Sequence, residues 1–223
     1  MIEQDLIPNF FDTTMNRDPY RKIAKWYDLF AEAGIRGLRG IGMRIYPPKE
    51  GMIVLDVGCG TGSQLALYEQ AGCKVFGIDS SPAMLKVAQE KLGESAELRL
   101  ADASQIPYSD ETFDLITAVL TLHEMPAPVR EAVMKESKRV MKKDGRILII
   151  DYHTGPLSFP KGWVENLIVM IYEMGAGREH YKNYRDFLAR HGLPPLITQH
   201  KLTIAARKIV GGGNFVLYLL ASE

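Results

Sequence analysis

VLDVGCGTGSQ, residues 54–64, decides the fold: an apolar run with strand character meets Gly58, Gly60 and Gly62, and a helix-forming segment follows from Ser63. Glycines between a strand and a helix tolerate positive φ and carry no Cβ, so a ligand can touch the main-chain N–H groups that the new helix leaves free. A dinucleotide turn would read G-x-G-x-x-G, with pyrophosphate on the helix N-terminus. Here the pattern is D-x-G-x-G-x-G, and the Asp56 carboxylate repels a pyrophosphate and attracts a cationic group.

Working outward, short aliphatic runs at 52–57, 74–79, 97–101, 114–119 and 146–152 read as strands separated by helices or loops. The helices are expected at 63–71, at 83–92 behind a Ser81 cap and Pro82, and at 129–143, the last stopped by Asp144 and Gly145. Runs at 199–206 and 214–221 flank Gly211, Gly212 and Gly213, a hairpin signal. The expected fold is therefore α/β, a doubly wound seven-stranded sheet that is mostly parallel and ends in an antiparallel hairpin strand.

Composition sets the surroundings. A chain of 223 residues, 46% hydrophobic, fits one domain with an adequate core. Lys plus Arg and Asp plus Glu number 27 each, so no net field draws the chain to nucleic acid. Cys59 and Cys73 have no metal-ligand spacing, no carboxylate cluster suggests Mg²⁺, and no metal is expected. With no basic-then-apolar leader and no apolar run near the roughly 20 residues of a membrane span, a cytoplasmic chain without integral membrane association is expected, monomeric or homodimeric.

The Asp56–Gly62 turn resembles the cofactor fingerprint of class I S-adenosylmethionine (SAM) dependent methyltransferases, and two later motifs agree. Asp79 in VFGIDSS resembles the acid that meets the ribose hydroxyls, with Ser80 and Met84 beside the adenosine. In LADASQIPYSDETFDLI, Asp102 resembles the residue facing the adenine amino group and Ala103 its backbone donor. The resemblance covers roughly residues 50–152. It implies a Rossmann-like fold, S-adenosyl-L-methionine as cofactor, S-adenosyl-L-homocysteine as product, and a cofactor site that also includes Cys59, Thr61, Leu120 and Tyr27. DPYRKIAKWYDLFAEAG, with Tyr27 and Asp28, resembles the first helix of the ubiquinone and menaquinone C-methyltransferases. HYKNYRDFL departs from their prenyl-quinone pattern, so the acceptor stays open among quinones, other lipids, phenols and amines.

Displacement at a sulfonium methyl needs alignment and exclusion of water more than it needs a base. The catalytic candidates are His123 in LTLHEMPAP, with Glu124 beside it, His153 in DYHTG, with Asp151 and Tyr152, and Tyr27. The expected layout is a helical lid at 1–46, a SAM-binding core at 50–152, a substrate-recognition insertion at 153–198 and a hairpin at 199–223. Within the insertion, 164–174 is an apolar helix suited to a core, a dimer face or a lipid-like acceptor. Each candidate also has a structural reading: Asp56 bonding its own turn, Asp79 a strand-end cap, Asp102 an Asx turn, Cys59 a small filler, His123 a helix cap, Tyr27 a core residue. A SAM-binding protein without catalysis would share these motifs. A nicotinamide-dependent oxidoreductase is disfavoured by the glycine spacing and by the lack of a second βαβαβ half after residue 152.

Overall fold

The computed structural model describes residues 18, 20, 21 and 24–222, without the side chains of 25–34. Helix α1 (Ala24–Ile45) leads into β1 (Ile53–Val57), α2 (Ser63–Gln70), β2 (Lys74–Asp79), α3 (Pro82–Leu92), β3 (Ala96–Leu100), β4 (Phe113–Val119), α4 (Ala127–Val140) and β5 (Met141–Tyr152). Then come α5 (Lys161–Gly175), α6 (Arg178–Ala189), α7 (Leu193–Gln199), β6 (Leu202–Val210) and β7 (Phe215–Ser222). The sheet order is β3-β2-β1-β4-β5-β7-β6, parallel from β3 to β5, with β7 antiparallel to both of its neighbours.

Helices on both faces bury the central strands completely, which is why they read as continuous apolar runs. Leu55, Val57, Ile116 and Ile149 lie in one core cluster, and Val54, Leu115, Leu148 and Leu219 in another on the opposite face. Side chains along one strand alternate between the two, and each fully buried aliphatic contributes about 1.5–3 kcal/mol. Leu38 and Ile41 of α1 pack on Ile150 and Leu217, which brings this first helix over the middle of the sheet.

Several boundaries differ from expectation, β5 among them, which starts at Met141 rather than 146. α4 stops at Val140 rather than 143, because Met141 already pairs with Phe113 of β4; the Asp144-Gly145 stop signal falls inside the irregular start of β5. α7 was not anticipated, yet its two prolines, Pro194 and Pro195, stand in the first turn, where the missing N–H groups have no partner to lose. β6 consequently begins at Leu202, after α7 has used Gln199.

α5 is fixed at both ends. Near its start, Gly162 lies so close to Gly212 of the β6–β7 turn that a Cβ on either would collide with the other's backbone, and Asn214 donates from Nδ2 to the Gly162 carbonyl at 2.9 Å. Near its end, Glu173 points inward and is 1% exposed. Between these points Val169 joins the core, while Val164, Leu167, Ile168 and Ile171 face outward at 53–63% exposure, so most of the apolar run is not core. Among the described residues no helix is long and apolar enough to cross a membrane.

Candidate functional site

The site lies at the carboxyl ends of the parallel strands, where strand order reverses between β1 and β4. The N–H groups of Gly58 and Cys59 both donate to the Ile78 carbonyl, at 2.9 and 3.0 Å, and tie the turn to β2. Gly58 has φ 69°, and a Cβ there would collide with the Thr121 side chain. Gly60, at φ 54°, differs: a Cβ there would meet nothing within 4 Å, so this point of the turn faces open space against which a ligand can lie. At Gly62 a Cβ would press on Leu92 and Ala88 of α3 at 2.9 and 3.1 Å, which makes it a packing glycine. Thr61 is buried, with the Lys91 ammonium 3.4 Å from its hydroxyl. The Cys59 thiol is buried against β2, and burial together with the Asp79 and Asp56 charges pushes its pKa well up, which makes it inert filler.

Asp56 does not bond its own turn. It accepts from the Thr117 hydroxyl at 2.6 Å, and burial lifts its pKa to about 7 against the pull of Thr117 and Arg39, with Asp79 adding to the rise. Asp79 accepts from Gly60 N–H and Ser81 N–H, both at 2.8 Å. Burial still lifts it to about 6, helped by the Glu124 and Asp18 charges. Two desolvated carboxylates at one turn favour a cation and hydroxyl donors over a phosphate. Ser80 is exposed next to Asp79, and Met84 is buried in the first turn of α3, its N–H donating to the Ser81 hydroxyl at 3.1 Å. Asp102 is exposed and accepts from Ser104 N–H at 2.8 Å, the Asx turn, which uses one of its two oxygens; Ala103 beside it is half-buried. Leu120 closes β4 at φ 52°, a left-handed position costly for leucine, and donates its N–H to Ile150 at 2.8 Å.

Asp18 and Tyr20 span the crevice. Asp18 accepts from the Ser81 hydroxyl at 2.7 Å and Ala83 N–H at 3.0 Å, capping α3, while the Tyr20 hydroxyl donates to Glu124 at 2.6 Å. Tyr27 lies on α1, and its side chain is outside the described residues.

Past β4 and β5 the structure assembles a polar cluster that no single motif announces. Asp151, at the end of β5, accepts from Leu122 N–H and His123 N–H and lies 2.8 Å from His123 Nδ1. His123 Nε2 faces Glu173 Oε1 of α5 at 3.6 Å. Glu173 accepts from the Tyr152 hydroxyl and from His180 Nε2 of α6, each at 2.6 Å. Burial by itself would push the His123 imidazole down, but the Asp151 charge and hydrogen bond, with Glu124 and Glu173, raise it to about 9. His123 is 2% exposed, while the side chains of His180 and Glu124 keep 12% and 27%, so the latter two offer the surface that a ligand could reach. Arg130, 2% exposed, locks α6 here by donating to the Met125 carbonyl at 2.7 Å and to Asp186 at 2.7 Å.

His153 is not part of this cluster. Its Nδ1 meets the Gly213 carbonyl at 3.0 Å, its Nε2 meets Arg207 at 3.2 Å, and it lines a hollow of about 190 Å³ with Leu193 and Pro194 that none of the candidate cofactor residues lines. Glu173 and His180 escaped the sequence reading. Their one signal was an acid inside an apolar helix, with a histidine seven residues on. A roomier hollow, about 500 Å³, is lined by Tyr46, Lys49, Glu111 and Lys142 at the opposite end of the sheet. Ligands of doubly wound sheets lie at the carboxyl ends, so strand polarity rather than volume selects the site.

Comparison with known proteins points to methyltransferases. A family model described as a methyltransferase domain matches residues 55–149. A phosphatidylethanolamine N-methyltransferase from Cereibacter sphaeroides is 40% identical over 113 residues, 47% of this chain and 54% of that protein. A demethylmenaquinone methyltransferase from Bacillus mycoides (strain KBAB4) is 31% identical over 184 residues, 76% of this chain and 75% of that protein. The chain spans 44 to 61% of the length of five other curated relatives, the Cereibacter protein included. In fold, a SAM-dependent methyltransferase from Aquifex aeolicus superposes with TM-score 0.59 at 22% identity, covering 93% of this chain and 97% of its own.

Proposed function

We propose, from the premise that the chain belongs to the class I S-adenosylmethionine-dependent methyltransferases, that it moves the methyl group of that cofactor to a lipid-like acceptor at the carboxyl ends of β4 and β5. The residues present fit the cofactor. Asp56 is a buried and Asp79 a half-buried carboxylate, suited to an ammonium and to ribose hydroxyls, and Gly60 leaves open the space where a Cβ would intrude. Bound there, the cofactor supplies an activated methyl on a sulfonium. The backbone from Gly58 to Gly62 would hold its amino-acid end, and Ser80, Met84, Asp102, Ala103 and Leu120 would hold the adenosine. The lid expected over 1–46 and the Tyr27 ring fall in part outside the described residues. Residues 50–152 hold the cofactor, 153–198 receive the acceptor, and 199–223 complete the sheet.

On the acceptor side His180 and Glu124 meet the polar head of the acceptor, and His123 acts behind them as a positioning residue fixed by Asp151. One observation carries the lipid-like assignment: α5 gives Glu173 to the buried cluster and turns Val164, Leu167, Ile168 and Ile171 outward. An exposed apolar face next to a polar site suits an acceptor with a polar head and an apolar body. The relatives named for phosphatidylethanolamine and demethylmenaquinone support the same class.

The test is methyl-labelled SAM with the full chain and two acceptor pools: phosphatidylcholine vesicles carrying phosphatidylethanolamine or a naphthoquinone, and water-soluble amines and phenols. Label is expected in the organic-extractable fraction. Label confined to the water-soluble pool overturns the lipid-like acceptor, and SAM binding without turnover in either pool points to a cofactor-binding protein without catalysis.

A further inference from the structure

His123, Glu173 and His180 come from the turn after β4, from α5 and from α6, and one ligand atom from each lies within 4.8 Å of the other two. Two imidazoles and one carboxylate are a donor set used for zinc and similar ions at sites that keep a position open. From this convergence we propose that the three side chains form a binding site for one divalent transition-metal ion, zinc by preference, beside the acceptor crevice.

The surroundings of the donors support this. Asp151 Oδ1, 2.8 Å from His123 Nδ1, fixes a ring proton on that nitrogen and aims Nε2 at Glu173, the orientation that an outer carboxylate gives a metal-binding histidine. At 3.6 Å Nε2 and Glu173 Oε1 are too far apart for a hydrogen bond. In the ion-free chain a proton on His123 supplies the positive charge that faces Glu173, and a metal ion would take that proton's place. Ligands of a tetrahedral zinc, with bonds near 2.1 Å, stand about 3.4 Å from one another, so the His123–Glu173 pair already has the required spacing. His180 Nε2 lies 2.6 Å from the other carboxylate oxygen, Glu173 Oε2, and its side chain keeps exposed area, so it would exchange that hydrogen bond for the ion by a side-chain movement. Glu173 is steadied in turn by the Tyr152 hydroxyl at 2.6 Å, the outer support that metal-ligating carboxylates carry. Three protein ligands leave the remaining coordination to water or to an acceptor oxygen.

The test reads the ion itself and needs no methyl acceptor, so its failure would leave the acceptor proposal standing. The full chain is stripped with chelator, reloaded with Zn²⁺ or Co²⁺, dialysed, and assayed for metal content and for visible absorption. About one zinc per chain is expected, together with the strong cobalt absorption bands of low coordination. Glu173→Gln and His180→Ala should each weaken zinc by at least about 100-fold in competition with a chromophoric chelator, Asp151→Asn by about 10- to 100-fold, and His200→Ala, remote from the cluster, not at all. Substoichiometric metal in the wild-type chain, or unchanged affinity in folded Glu173→Gln, overturns the site. If the variants do not fold, the cobalt spectrum of the wild-type chain decides: no bands means that the cluster is a hydrogen-bonded network only.

Discussion

The two halves of the site are built in different ways. Around β1 and β2 the side chains facing the crevice belong to turns only a few residues long, and bonds such as Gly60 N–H to Asp79 join positions 19 apart. Around β4 and β5 the cluster joins His123 to Glu173, and Arg130 to Asp186, across 50 residues or more. The first half depends on backbone shape that glycine dictates locally. The second depends on how α5 and α6 dock, so it exists only once the tertiary structure does.

Four measurements would break or sharpen that contrast. Gly60→Val fills the open space of the turn at a positive φ and should abolish SAM binding by calorimetry while the chain stays folded, because nothing lies within 4 Å to be displaced. Retained affinity would remove the turn from the cofactor site. Arg130→Ala attacks the other half: it leaves the Met125 carbonyl and Asp186 without their partner and should cost about 3 kcal/mol in denaturant unfolding, discounted for the exposure of Asp186. Loss of SAM affinity without loss of stability would show the halves to be coupled. His123→Ala should lower turnover about 100-fold at nearly unchanged SAM affinity, as expected when positioning is lost. His153→Ala, set apart in its own hollow, should lower turnover less; equal losses would put both on one path.

The smallest effect is in pH. Asp56 is lifted to about 7 by burial, and only its ionised form holds a cation, so SAM affinity should fall, by up to about tenfold per unit, as the pH drops below 7, and level off above. Calorimetry across that range checks it, and a flat profile would place the ammonium elsewhere. For the ligand-free chain the sign reverses. The folded pKa lies above the unfolded 3.8, so neutral Asp56 contributes stability in full below about 4, and that contribution is lost as the pH rises through about 7.

The same contrast explains what could be read from sequence. β2 falls at 74–79 as expected, and the β1 turn declares its ligand class, because strand periodicity and glycine spacing are properties of short windows. Asp56 was legible as an acid at the end of β1, but its partner Thr117 was not, since their pairing follows from β1 lying beside β4. Glu173 stands as a single acid in an apolar helix, and the sequence does not say which way it points. Only the folded chain shows the inversion, with the acid inside and the aliphatics outside. α7 was hidden because Pro194 and Pro195 read as breakers unless the helix is known to begin there.

The anchoring of α5 has a last consequence. Held by Gly162 and Asn214 at one end, by Val169 in the core and by Glu173 at the other end, the helix behaves as a beam clamped along its inner side with a bare outer face. Side chains along that face can be exchanged without loosening the clamps, so greasiness outside and chemistry inside are free to vary separately. A descendant could change which molecules reach its doorstep while keeping the same interior machinery.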